Sequence, residues 1–144
     1  MIRTTLAITS ISVWASFGLI GPIVGYHGST SRDVSVRVIA EPFKDSDALV
    51  YEWSGDVYRS CPIEIRRHIV DANDVITTLR ALSFGALPED QLGSTSYELT
   101  VEVPVLIAEG PAVYYASEIS KCSWLQRLRP VSVDYPPVHF TVTR

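Results

Sequence analysis

Positive charge is scarce in this sequence, in which 12 lysines and arginines face 16 aspartates and glutamates, for a net charge of −4. Binding to nucleic acid requires a basic stripe that neutralises phosphates, so this balance argues against such a partner except through a local patch. Several enzyme signatures are missing as well. The chain has no glycine-rich phosphate loop, no HExxH and no dinucleotide fingerprint. Ser60, His68 and Asp71 are close in the chain but lack the context of a hydrolytic triad. The three histidines, His27, His68 and His139, are dispersed, and only His68 and His139 are candidates to meet across strands. The "DAND" at 71–74 has carboxylates at turn spacing without the length of a calcium loop. Two cysteines with no CxxC and no nearby histidine pair leave a zinc site short of ligands. A non-enzymatic protein without a cofactor is the expectation.

Charge is absent altogether from "LAITSISVWASFGLIGPIVGY", Leu6 to Tyr26. As a helix these residues would reach about 31 Å, the thickness of a bilayer's hydrocarbon core. An uncleaved anchor over residues 6–26 is therefore expected, with Tyr26 and His27 at the interface. A cleaved signal peptide is the competing reading, because "VWA" ending at Ala15 carries small residues where a peptidase needs them. Apolar residues continue through Val24, past where a signal's hydrophobic region should stop. A third reading buries the helix in a protein assembly, since Thr9, Ser10, Ser12, Ser16 and Pro22 moderate its hydrophobicity. Gly21 and Gly25 form a GxxxG through which two such helices would approach closely as a homo-oligomer.

"HGSTSR", His27 to Arg32, is a polar connector without hydrophobic periodicity. The expected division is an anchor and connector at 1–31 and an ectodomain at 32–144. Beyond the connector the pattern is β throughout, with no helical period and no repeat. "DVSVRVIA" alternates Val34, Val36 and Val38 against polar residues. "ALVYEWSGDVY" is a second strand, and "PIEIRRHIV" and "VITTL" form a hairpin around the "DAND" turn. Leu82 to Ser96 is expected as a long loop, "YELTVEVPVLI" and "AVYYASEIS" as further strands, and "VSVDYPPVHFTVT" as the last. Seven or so short strands predict an all-β sandwich.

At "LIAEGPAVYYASEISKC" the chain resembles the penultimate strand of immunoglobulin-like and fibronectin-like sandwiches, where a glycine turn precedes a strand opening on tyrosine. The turn is Glu109, Gly110 and Pro111, the corner tyrosine is Tyr114 or Tyr115, and Trp53 is the candidate core tryptophan. The resemblance covers Val34 to Arg144 and departs from antibody domains at Cys122, seven residues past Tyr115 instead of two. A bridge between the two sheets at mid-core is thereby put in doubt. The overall plan, one amino-terminal span and one compact β domain, is similar to that of small membrane-anchored proteins of bacteria and their phages.

Cys61 and Cys122 both follow the span, and two cysteines in a small domain beyond a membrane segment most simply bond to each other in an oxidising compartment. This places residues 32–144 on the periplasmic or extracellular side. The function expected is a membrane-anchored binding or scaffolding module of a cell envelope or phage assembly. The alternative is a secreted or virion-incorporated structural protein whose apolar amino terminus is cleaved or buried against other subunits. Strict alternation in "PIEIRRHIV" points Arg67 inward. It requires either a bulge between Arg66 and Arg67 or a carboxylate partner such as Glu52, Glu118 or Asp71. Arg66, Arg67 and His68 are also a candidate basic patch. The segment "CSWLQRLRPVSVDYPPVHF" crowds residue types that dominate interfaces, making Trp124, Arg127, Arg129 and Tyr135 the partner-binding candidates.

Overall fold

The computed structural model describes residues 30–41 and 48–143, with the side chains of Trp124 and Leu125 falling outside that description. The expected anchor at 6–26, with Gly21 and Gly25, lies outside the described residues. Among the described residues no helix is long and apolar enough to cross a membrane.

The described chain is all-β in class. Its strands are β1 (Ser31–Ala40), β2 (Ala48–Val57), β3 (Ile63–Val70), β4 (Ile76–Phe84), β5 (Gly93–Glu102), β6 (Gly110–Ser120), β7 (Val131–Asp134) and β8 (Val138–Val142). A 3-10 turn spans Glu89–Gln91, and a five-residue helix, α1, spans Trp124–Leu128. Three strands in the order β1-β2-β5 form one sheet. The other runs β4-β3-β6, and the free side of β6 is shared by β7 on its later half and β8 on its earlier half. Every pairing is antiparallel.

Period-two alternation decides which residues meet between the sheets. In β2 it buries Leu49, Tyr51, Trp53 and Val57, and they pack with Ile69, Tyr114, Val138, Phe140 and Val142 of the other sheet. Each large apolar side chain taken out of water in this way contributes roughly 1.5–3 kcal/mol. Trp53 is thus a core residue, as its place in the sequence suggested.

The hairpin of β3 and β4 closes as its turn residues require. The Asp71 and Val75 backbones bond across it, and Asp74 takes the left-handed conformation at φ 60°. Asp71 Oδ1 accepts the N–H groups of Asn73 and Val75, an Asx turn that fixes the loop.

Three expectations are corrected. The loop expected over 82–96 is shorter, because Leu82 to Phe84 extend β4 and Gly93 to Ser96 extend β5. The last strand is two, broken at Tyr135–Pro136–Pro137, where proline has no N–H for the β6 ladder. A helix also forms where none was expected. Ser123 Oγ accepts the Gln126 N–H at 3.3 Å, and the Gln126 side chain returns to the Cys122 N–H at 2.6 Å. "SWLQ" is thus close to a capping box, which starts a helix too short to show a period.

Cys61 and Cys122 are bonded, with Cα atoms 4.9 Å apart. They continue the register in which Ile63 faces Ser120, so the bridge joins adjacent strands of one sheet just past their ladder. It does not cross between the sheets.

Candidate functional site

The sandwich has two unlike ends. At the entry end the chain arrives at Thr30, the disulfide closes the 58–62 and 121–130 connections, and α1 stands beside them. The far end carries the 71–75 turn and the 103–109 loop.

A buried carboxylate organises the entry end. The inner face of β6 reads Ala112, Tyr114, Ala116, Glu118 and Ser120, and Glu118 is only 1% exposed. Its Oε1 accepts the Thr30 N–H at 3.1 Å and the Thr30 hydroxyl, and its Oε2 accepts the Ser31 hydroxyl and Tyr135 OH, the last at 2.7 Å. Four donors therefore compensate a charge that would otherwise be expensive to bury. Burial, and after it the adjacent Glu118 charge, pushes the Tyr135 phenol far above its ordinary value, so it remains a donor.

Between the sheets lies a cavity of about 380 Å³. From β6 it is lined by Tyr114 and Glu118, and from β2 by Tyr51, Trp53 and Val57. Ile63 and Ile65 of β3, Leu82 and Phe84 of β4, and Tyr97 and Leu99 of β5 supply an apolar wall. β4 and β5 are the outer strands of their sheets. The cavity's lining includes Glu98 and Thr100 from the opposite face of β5, so its mouth follows that strand's free edge.

The cavity's polar groups are mostly donors. Tyr51 OH and Tyr114 OH lie 3.3 Å apart. Burial and then the neighbouring Tyr114 raise Tyr51, and burial raises Tyr114 against the opposing pull of Tyr51 and Arg67. Trp53, 6% exposed, also lines the cavity, and its buried indole N–H has no hydrogen-bond partner among the described residues. Arg67 also lines the space.

The inward position of Arg67 is the one alternation predicts, but neither expected explanation holds in detail. β3 runs in unbroken register with β6, and the irregularity belongs to β4, where Arg80 and Ala81 together oppose Arg66. That bulge turns out the Arg80 carbonyl, which accepts Arg67 Nε at 3.2 Å and Nη2 at 2.6 Å. The three candidate carboxylates are engaged elsewhere. Glu52 pairs with Arg37, Glu118 holds Thr30, Ser31 and Tyr135, and Asp71 binds backbone N–H groups.

Arg66, Arg67 and His68 consequently do not form one patch. Arg66 faces outward and is paired with Glu64 at 3.0 Å, Arg67 faces the cavity, and His68 stacks on Tyr115 with ring centroids 5.0 Å apart. β6 lies between the strands of His68 and His139, which therefore do not pair. Ser60 and Asp71 are at opposite ends of β3, with Ser60 bonded to the Leu87 carbonyl.

Of the partner-binding candidates, Tyr135 is corrected. It is 8% exposed and bonded to Glu118, so it belongs to the core of the entry end. Arg127 and Arg129 are exposed on and just past α1, flanking Leu128, which is 78% exposed. The Trp124 backbone opens α1, and its side chain lies outside the described residues. Nearby, Tyr58 is covered by Arg32 at 4.5 Å and Arg59 at 5.5 Å from its ring centre. Sequence reasoning missed Glu118 as an organising group, although alternation through "AVYYASEIS" places it inward. No family model matches this chain, and no curated protein matches its sequence.

Proposed function

We propose that the chain is a membrane-anchored, extracytoplasmic binding or scaffolding module of a cell envelope or phage assembly. The observation that carries this reading is the bonded pair Cys61 and Cys122 at the end where the chain enters, since such bridges persist in oxidising compartments. Glu118 adds support. Only His27, Gly28 and Ser29 separate Tyr26 from the Thr30 that this carboxylate holds. A span ending at Tyr26 would thus set the domain close to the bilayer at a fixed orientation.

Within this reading the fold is an immunoglobulin-like, specifically fibronectin-like, sandwich. The order β1-β2-β5 opposite β4-β3-β6-β7 supports it, being the immunoglobulin order with the fourth strand moved beside the third. The partner surface is the exposed face of α1, with Arg127, Leu128 and Arg129 offering two cations around an apolar side chain. The short helix between the disulfide and Pro130 is already ordered, which limits the entropy lost on binding.

The test combines topology with capture. In carbonate-washed membranes the chain stays in the pellet, and a tag fused after Arg144 is digested only from the extracytoplasmic side. Changing Arg127 and Arg129 together to alanine leaves the domain folded and weakens recovery of its partner from native envelopes or particles. Release by carbonate, or digestion of the tag only from the cytoplasm, overturns the reading.

A further inference from the structure

We infer that the cavity between the sheets binds a small amphiphilic carboxylate, an apolar chain of about ten carbons or an equivalent ring system with an anionic head. Its volume of about 380 Å³ lies in the range of small-ligand sites and far above the voids of a packed core. The wall contributed by Ile63, Ile65, Leu82 and Leu99 accommodates an apolar body. Glu98 lies at the mouth on the outward face of β5, and deeper in the lining Trp53 Nε1 has no hydrogen-bond partner among the described residues, an indole nitrogen that can only donate.

Arg67 sets the sign of the head. Its guanidinium gives Nε and Nη2 to the Arg80 carbonyl, which anchors it without neutralising it. Among the described residues no carboxylate lies within ion-pairing distance of it. Glu118 does not compete for the role, because its oxygens are already taken by Thr30, Ser31 and Tyr135. A carboxylate entering along the free edge of β5 would meet a preset cation and an unspent indole N–H. This inference is independent of the anchor and of the α1 surface.

The test uses the full chain, embedded in phosphatidylcholine nanodiscs or free in solution beside them, with radiolabelled decanoate and decanol in equilibrium dialysis at neutral pH and protein-free discs as background. Saturable uptake of one decanoate per chain is expected, with decanol bound at least about tenfold more weakly because it lacks the charge-assisted bonds. Arg67→Met should bring decanoate down to the level of decanol and leave decanol unchanged, a pattern that loss of folding would not produce. Leu99→Trp, which fills the cavity, should block both. Uptake no greater than that of protein-free discs overturns the proposal, as does equal affinity of the native protein for decanoate and decanol. Persistence of the preference in Arg67→Met does so too. None of these results bears on protease access to the carboxyl terminus, so the membrane-anchored reading stands or falls separately.

Discussion

The two ends of the sandwich are held by different physics. At the entry end a covalent bridge joins β3 to β6, a buried carboxylate binds the first described residues to Tyr135, and a capped helix seals the connection. At the far end one aspartate does the comparable work with backbone donors alone. Asp71 holds its own turn through Asn73 and Val75, and reaches the neighbouring loop through the Ala108 N–H at 3.1 Å. The tips there are open to solvent, with Val75 53%, Ile76 66%, Val105 72% and Leu106 90% exposed. Long-range constraint is thus concentrated at the end where the chain reaches Thr30. The far end is ordered locally and carries no covalent tie among the described residues.

Breaking the bridge should have the largest effect. Replacing Cys61 and Cys122 by serine removes closure of a loop about 60 residues long, worth about 4 kcal/mol in the chain-entropy model, so the melting temperature should drop by roughly 15 °C or more. Calorimetry of oxidised wild type against the double variant measures it. A drop of only a few degrees would mean that the entry end does not depend on the bridge. Glu118→Ala comes next, because it removes the buried acceptor shared by Thr30, Ser31 and Tyr135, at a cost of about 3 kcal/mol. Amide exchange should accelerate at Thr30 and Tyr135 while Val75 and Ala108 keep their protection. Equal acceleration at both ends would show that they are one cooperative unit.

The contrast between the ends also explains what could be read from the sequence. Strong alternation made β1, β2, β3 and β6 legible, and the turn residues of 71–74 announced the hairpin. The disulfide followed from the cysteine count and the expected compartment. The extensions of β4 and β5 were hidden because Ser83 and residues Gly93 to Ser96 are turn-forming types, and edge strands with a solvated side tolerate them. Pro136 and Pro137 did mark the break between β7 and β8, although strand-like residues on both sides outweighed them. Tyr135 was misassigned because an aromatic residue looks the same in an interface and in a core; only the partner across space, Glu118, distinguishes them. The cavity was illegible for a related reason. It is a space bounded jointly by side chains of β2, β3, β4, β5 and β6, and no single strand records it.

The smallest expected effect sharpens the comparison at the far end. Three backbone N–H groups, foremost that of Ala108, then Val75 and Asn73, hold the Asp71 carboxyl below the usual carboxylate value. A lowered folded value means that ionised Asp71 stabilises the fold above the unfolded value of about 4 and that this contribution fades as pH falls toward the folded value. Asp71→Asn keeps one acceptor for Asn73 and Val75 but turns an amide nitrogen or a shared oxygen toward Ala108. The variant should therefore be less stable than wild type at pH 7, and the difference should shrink as pH is lowered from about 5 toward 2. Glu64, which Arg66 and Lys121 also hold below its ordinary value, is common to both proteins and cancels from the difference. Urea unfolding of the two proteins at each pH gives the comparison, and faster exchange at Ala108 and Val75 with unchanged protection at Thr30 assigns the loss to the far end. A gap of constant size across that pH range would show that the shape of the Asp71 side chain holds the two loops together, and its charge does not.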